Sequence, residues 1–261
     1  MSLLRLIARL DIKGPNVVKG IQMEGLRIVG KPAELARKYA TEADELLYID
    51  TVATLYGRNQ LSALLEETTA DVFIPITVAG GIKSRADVKR LLDSGADKVA
   101  INTAAVKNPL LVRELSDHYG AQAIVVSIEA KRTAAGGWEA YTDNGRERTG
   151  LCALEWAAKA VALGAGEILL TSVDKDGMRN GCDLDLIRAV GRACPVPLSV
   201  CGGVGAVSHA IDALQAGADA VALGSALHYG KLTITEVRNG IAAQRKLQAE
   251  GGRGEGARDG A

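Results

Sequence analysis

The feature that most narrows what this chain can fold into is an internal repeat. The strings TVAGGI and SGADKVAINT, at residues 77–82 and 94–103, return as SVCGGV and AGADAVALGS at residues 199–204 and 216–225. Gly81 and Gly203, Asp97 and Asp219, and Thr103 and Ser225 each lie 122 positions apart, as do Glu45 and Glu167. Each copy reads as a strand, a Gly-Gly turn, an amphipathic helix, a Gly-Ala-Asp and a second strand. Parallel strands joined by helices form right-handed crossovers. A half of this kind, doubled within 261 residues, predicts one domain: a (β/α)8 TIM barrel built from two duplicated half-barrels, a fold of about 250 residues. The barrel is expected over residues 1–249. The Gly-rich tail 250–261 lacks a hydrophobic period and is expected to be disordered.

Composition agrees with a barrel and excludes several partners. Apolar residues make up 48% of the chain and aromatic ones only 3%, which suits an interior of Val, Ile, Leu and Ala. Lys plus Arg equals Asp plus Glu, 31 each, so no bias towards nucleic acid or a membrane surface is visible. Neither a signal-peptide core nor a membrane-length apolar run occurs, and a cytoplasmic location is expected. Cys152, Cys182, Cys194 and Cys201 have no C-x-x-C spacing and read as free thiols. His118, His209 and His228 are far apart in sequence, so neither a metal nor a cofactor is expected.

Barrel strands are expected at 4–11, 46–50, 72–78, 98–102, 123–129, 167–171, 197–200 and 220–223. Helices are expected at about 32–40, 59–69, 84–94, 109–119, 151–163, 184–193, 207–216 and 233–249. Residues 13–30 read as a long Gly-containing loop over the mouth. WEAYT followed by Asn-Gly predicts a small hairpin after the fifth strand.

Active sites of this architecture lie at the C-terminal ends of the strands. Asp11 and Glu129 end the first and fifth strands and would face each other across the mouth. Such a pair can divide general-acid and general-base roles; alternatively, each pairs with a neighbour such as Lys13 or Lys131. Gly80 and Gly81 with Asn102 and Thr103, and Gly202 and Gly203 with Gly224 and Ser225, form two symmetric candidate phosphate cradles. Glycine lets backbone N–H groups approach an anion closely. Two cradles half a barrel apart imply one long substrate with a phosphate at each end. Thr171 ends the sixth strand and Asp174, Asp176 and Gly177 follow it, with Asp174 and Asp176 candidates for substrate hydroxyls or for an Asx-type turn before Gly177. At the other end of the barrel, Arg5, Glu45, Lys98 and Glu167 are placed to close a ring of salt bridges, either as a plug or as a gate for a small polar molecule. The strand period of two puts Arg5, Ile7, Arg9 and Asp11 on one face.

These residues carry a resemblance spanning about residues 4–245. LDIK with VVKG, DELLYID, TVAGGI, ADKVAINTAAVKNP, GAGEILLTSVDKDG and the CGG stretch resemble the cyclase subunit family of imidazole glycerol phosphate synthase. The resemblance implies a separate glutaminase docked on the barrel floor, whose ammonia passes the charged gate and attacks a bisphosphorylated ribulosyl-formimino substrate at the mouth. The products implied are imidazole glycerol phosphate and an aminoimidazole carboxamide ribotide. By motif, Asp11 is an acid/base, Lys19 sits in the mouth loop, and Asn102, Thr103, Asp176, Gly203 and Ser225 hold substrate. The chain departs from the family pattern in three places: Glu129 stands where the family has Asp, Arg9 where the first strand usually reads IPCLD, and Ala79 in place of a Gly. Departures of this kind also fit a paralogue that supplies ammonia to a sugar amidotransferase in surface polysaccharide synthesis. A weaker alternative is a free-standing sugar-phosphate isomerase.

Overall fold

The computed structural model describes residues 4–53 and 61–254. Eight parallel strands close on themselves: β1 (Arg5–Lys13), β4 (Glu45–Asp50), β5 (Ile76–Ala79), β6 (Lys98–Ile101), β7 (Ile124–Arg132), β10 (Glu167–Ser172), β11 (Leu198–Cys201) and β12 (Ala220–Leu223), with β12 paired back onto β1. The remaining strands form two antiparallel hairpins on the mouth. β2 (Asn16–Ile21) and β3 (Glu24–Gly30) extend β1, while β8 (Trp138–Thr142) and β9 (Glu147–Cys152) extend β7. This is the doubled (β/α)8 barrel that the repeat predicts.

Local chemistry explains the order of elements. Pro32 occupies the first turn of helix 32–40, where its missing N–H costs nothing. Ser84 and Asp183 cap helices 85–93 and 184–193, accepting from Asp87 N and Leu186 N. Three aspartates fix where strands begin. Asp44, Asp97 and Asp219 accept from the backbone N of Leu6, Ile76 and Leu198 at 2.8–2.9 Å, and their own N–H groups donate back to the same residues' carbonyls. The fourth position of this pattern is Gly166, because an added Cβ would sit 2.1 Å from the Ala121 carbonyl oxygen.

The apolar core lies in two places. The larger part packs helices against the outer faces of the strands. The smaller part fills the barrel itself, where Ile7, Leu47, Val125 and Leu169 interleave with Ala79, Ala100, Cys201, Ala220 and Ala222. Alternating bulk lets side chains from opposite strands share a narrow interior.

Several expected boundaries shift. The third strand begins at Ile76, not 72, since Phe73 is exposed and Pro75 has no N–H to give a ladder. Residues 13–30 are an ordered hairpin, not an irregular loop, because Val17–Ile21 pairs antiparallel with Glu24–Gly30 across a tight turn with positive φ at Gln22 and Met23. The hairpin expected after the fifth strand is present, turning through positive φ at Asp143, Asn144 and Gly145. It claims residues 147–152, so the following helix starts at Ala153. A helical turn at 103–107 precedes helix 110–119. The second helix is seen from Leu61 to Thr68, and its expected start at 59 lies outside the described residues. The last helix runs Ile234–Gly254, five residues past its expected end, and 255–261 lie outside the described residues. No helix among the described residues is long and apolar enough to cross a membrane.

Candidate active site

The floor and the mouth of the barrel each carry a cluster of two cations and two anions. At the floor, Arg5 bonds Glu45 at 2.8 Å and Glu167 at 2.9 Å, while Lys98 bonds Glu45 at 2.9 Å and Glu167 at 3.0 Å. The ring of four predicted residues is therefore closed. Burial opposes the charge on Glu167, but Lys98 and Arg5 hold its carboxyl below the ordinary range. Two hydroxyls that sequence reasoning missed complete the ring. Thr77 donates to Glu45 and Ser199 donates to Glu167. Their separation of 122 residues was the signal available to find them. The anions and their hydroxyls obey the repeat, but the cations do not. The position matching Lys98 is Ala220, and its β1 neighbour Arg5 supplies the charge instead.

Arg9 lies four residues above Arg5 on the same strand, about 13 Å along it. Its Nε donates to Asp11 Oδ1 at 2.7 Å. Lys19, carried in by β2, donates to Asp11 Oδ2 at 2.7 Å and to both oxygens of Asp176 at 3.0 Å. All four side chains are buried, each less than 5% exposed. Burial penalises the Asp11 carboxylate, yet Arg9 and Lys19 hold it well below the usual carboxylate range. Asp11 therefore pairs with Arg9 and Lys19, and not with Lys13.

His228 locks the backbone under this cluster. Its Nε2 lies 3.1 Å from the Arg9 carbonyl oxygen and its Nδ1 2.9 Å from the Tyr39 hydroxyl. The carbonyl only accepts, so Nε2 carries the proton and Nδ1 accepts from Tyr39. Burial keeps the ring neutral, with a pKa lowered to about 4.

Glu129 is buried like Asp11, but its charge is not matched in the same way. Its side chain is buried, with Gly145 N donating to Oε2 at 2.7 Å. Desolvation raises its pKa from 4.5 to about 7, and neither the Gly145 bond nor the Arg9 charge reverses this. It lines a cavity of about 420 Å³ with Arg9, Ser127, Thr171, Asn102, Thr103 and the first Gly pair, whereas Asp11 does not border it. The two carboxylates thus do not share one open face, contrary to the expectation from strand ends. The inserted Arg9 stands on the cavity side of Asp11.

The two cradles keep matched backbones. Gly80 and Gly81 have φ of 102° and 68°, and Gly202 and Gly203 of 100° and 96°. A Cβ on Gly80 would lie 2.3 Å from the Asp50 carbonyl oxygen, and one on Gly203 2.1 Å from that of Gly181. Asn102 and Gly224 share one backbone conformation, φ/ψ −124°/−84° and −130°/−81°. Their occupancy differs. The first cradle opens onto the cavity of about 420 Å³, while the inner side of the second, with Asp176, holds a pocket of only about 20 Å³; Gly177 and Ser225 also edge an outer cavity of about 610 Å³. Lys19 narrows this inner pocket, its Cε lying 3.6 Å from where a Gly224 Cβ would be.

The first hairpin holds this closure. Gln22 N donates to the Asp176 carbonyl at 2.7 Å, and a Cβ on Gly177 would meet the Gly20 oxygen at 2.3 Å. Asn102 and Thr103 also brace the second hairpin, bonding Tyr141 O and Asp143 N. Asp174 accepts from Arg132 N at 2.8 Å and so serves the fold. Among the described residues no cluster of three or more His, Cys, Asp or Glu is placed to hold a metal ion.

Comparison with known proteins agrees with this geometry. A family model described as histidine biosynthesis protein matches residues 5–233. The imidazole glycerol phosphate synthase subunit HisF of Legionella pneumophila is 57% identical over 206 residues, covering 78% of this chain and 97% of that protein. A doubled barrel with paired Gly cradles at its mouth is thus accompanied by a match along nearly its whole length: the chain belongs to the histidine biosynthesis protein family.

Proposed function

We propose that this chain is the cyclase subunit of an imidazole glycerol phosphate synthase. Two observations on one axis carry the reading: a closed charged ring at the floor, and two symmetric cradles beside a titratable carboxylate at the mouth. A separate glutaminase at the floor supplies ammonia, which passes the ring of Arg5, Glu45, Lys98 and Glu167. It then ascends between small interior side chains such as Ala79, Ala100 and Ala222. The bisphosphorylated ribulosyl-formimino substrate lies across the mouth. One phosphate meets Gly80, Gly81 and Thr103, and the other meets Gly202, Gly203, Gly224 and Ser225. With a pKa of about 7, Glu129 exists in both protonation states near neutrality. It is suited to move protons during ring closure and cleavage. Arg9 and Lys19 together balance Asp11 and Asp176, so the cluster beside the second phosphate is neutral.

The test is turnover of that substrate by the purified chain with ammonium salt. Conversion is expected, with Glu129→Gln losing about 10²–10⁴-fold. Folded wild-type protein that does not turn over would overturn the reading. A second reading is favoured by one observation, the Arg9–Asp11 pair at 2.7 Å, which closes Asp11 off from proton transfer. On that reading the barrel passes ammonia to a sugar amidotransferase docked at its mouth. It predicts no turnover of the ribulosyl substrate but a stable ternary complex with glutaminase and amidotransferase.

A further inference from the structure

Arg9 belongs to no part of the floor ring or the cradles, yet it occupies the joint between them. Of the residues lining the 420 Å³ cavity and those lining the small pocket at the second cradle, Arg9 is the one shared. A molecule reaching from one cradle to the other passes its guanidinium. The hydrogen bonds at the mouth use only one nitrogen of that group. Lys19 already bonds both oxygens of Asp176 and one of Asp11, and Arg9 completes Asp11 through Nε. Its Nη1 is buried with no hydrogen-bond partner, the nearest carboxylate oxygen being Asp176 Oδ1 at 3.6 Å. The Cys201 thiol beside Arg9 is kept neutral by burial and gives the guanidinium at most a weak sulfur hydrogen bond, with no counter-charge. A buried cationic N–H without an acceptor is costly, and such groups persist where a ligand completes them.

We propose that Arg9 is a specificity-determining residue that donates from its guanidinium to a hydroxyl or carbonyl oxygen in the middle of a bisphosphorylated substrate. Asp11 is then a positioning residue, aiming Arg9 by its bond to Nε. This rests on the reading that one bisphosphate spans both cradles, and it adds a third anchor specific to the sequence of this strand. Methionine, similar in length but neutral, would remove the donor while filling the space.

The experiment is calorimetric titration of the bisphosphorylated ribulosyl substrate, with no nitrogen source present, into wild-type protein and Arg9→Met. A charged hydrogen bond of this kind predicts binding weaker by about 10- to 100-fold in the variant. Inorganic phosphate, which reports the cradles alone, is expected to bind both proteins within about twofold. Arg9→Ala is expected to regain substrate affinity on addition of millimolar guanidinium, and Asp11→Asn to add little to Arg9→Met in a double-mutant cycle. Equal substrate affinity in wild type and Arg9→Met overturns the proposal. So does a loss that phosphate shares and guanidinium does not rescue, since that is the signature of a structural prop. Wild-type binding without ammonium-driven turnover defeats the cyclase reading alone, while absence of binding to wild type defeats both.

Discussion

The floor and the mouth are built from the same inventory, two cations and two carboxylates, with an arginine from β1 in each. Their difference lies in solvent and in completeness. The Arg5 side chain is 31% exposed and Lys98 17%, so water helps to carry the floor charges. Every anion there also receives a hydroxyl from Thr77 or Ser199. At the mouth the four side chains are sealed from solvent, and one guanidinium nitrogen lacks a partner. The floor ring satisfies its own charges and hydrogen bonds, whereas the mouth leaves a donor over, which is the basis of the binding role proposed for Arg9. Screening also makes the floor the more forgiving of the two.

That contrast can be broken by experiment. Asp11→Ala should have the largest effect, because it leaves Arg9 and Lys19 buried against Asp176 alone. A loss of about 3–5 kcal/mol in urea unfolding at neutral pH is expected, and a change below about 1 kcal/mol would show that water reaches the mouth.

The next effect concerns Glu129 and pH. Its folded pKa lies above its ordinary value, so between roughly 4.5 and 7 the native state holds a proton that the unfolded chain has released. Stability from this group is therefore lost as pH rises through that window. Wild-type protein should lose about 2 kcal/mol relative to Glu129→Gln between pH 5 and pH 8. Parallel stability curves for the two proteins would count against a raised pKa. Asp11 acts with the opposite sign: its contribution is present above its ordinary pKa and is lost only in strong acid.

On the floor, Glu167→Gln retains an acceptor for Ser199 and leaves both bonds to Glu45, so about 1 kcal/mol of destabilisation is expected by thermal or urea unfolding. A cost matching that of Asp11→Ala would erase the distinction between the two ends. Asp71→Ala marks the lower end of the scale. It removes an exposed partner of Arg37 and should shift stability by less than about 0.5 kcal/mol, with a calorimetric melting temperature nearly unchanged.

Much of this was legible along the chain because it is periodic. The 122-residue repeat marked the two Gly pairs and the two ring glutamates. The period of two along β1 placed Arg5 and Arg9 on one inner face. The hairpin at 138–152 announced itself through alternation and Asn-Gly. Residues 16–30 did not, since their strands lack a clean alternation and they turn through positive φ at Gln22 and Met23, which carry no Asn-Gly signal. Thr77 and Ser199 were within reach of the same repeat, but an isolated hydroxyl in an apolar strand carries no signal until a carboxylate is brought to it.

Sequence alone thus determined the architecture, the two cradles and the members of the floor ring, because repeats and strand periodicity are local properties that survive without coordinates. Tertiary structure decided which charges meet. It brought Lys19 from a hairpin into Asp11 and Asp176, set Arg9 between Asp11 and the cavity, and left Glu129 as the carboxylate facing open volume. Those outcomes depend on burial and on distances between strands far apart in the chain. The energy of a buried charge follows from what surrounds it, and its place in the sequence does not reveal that.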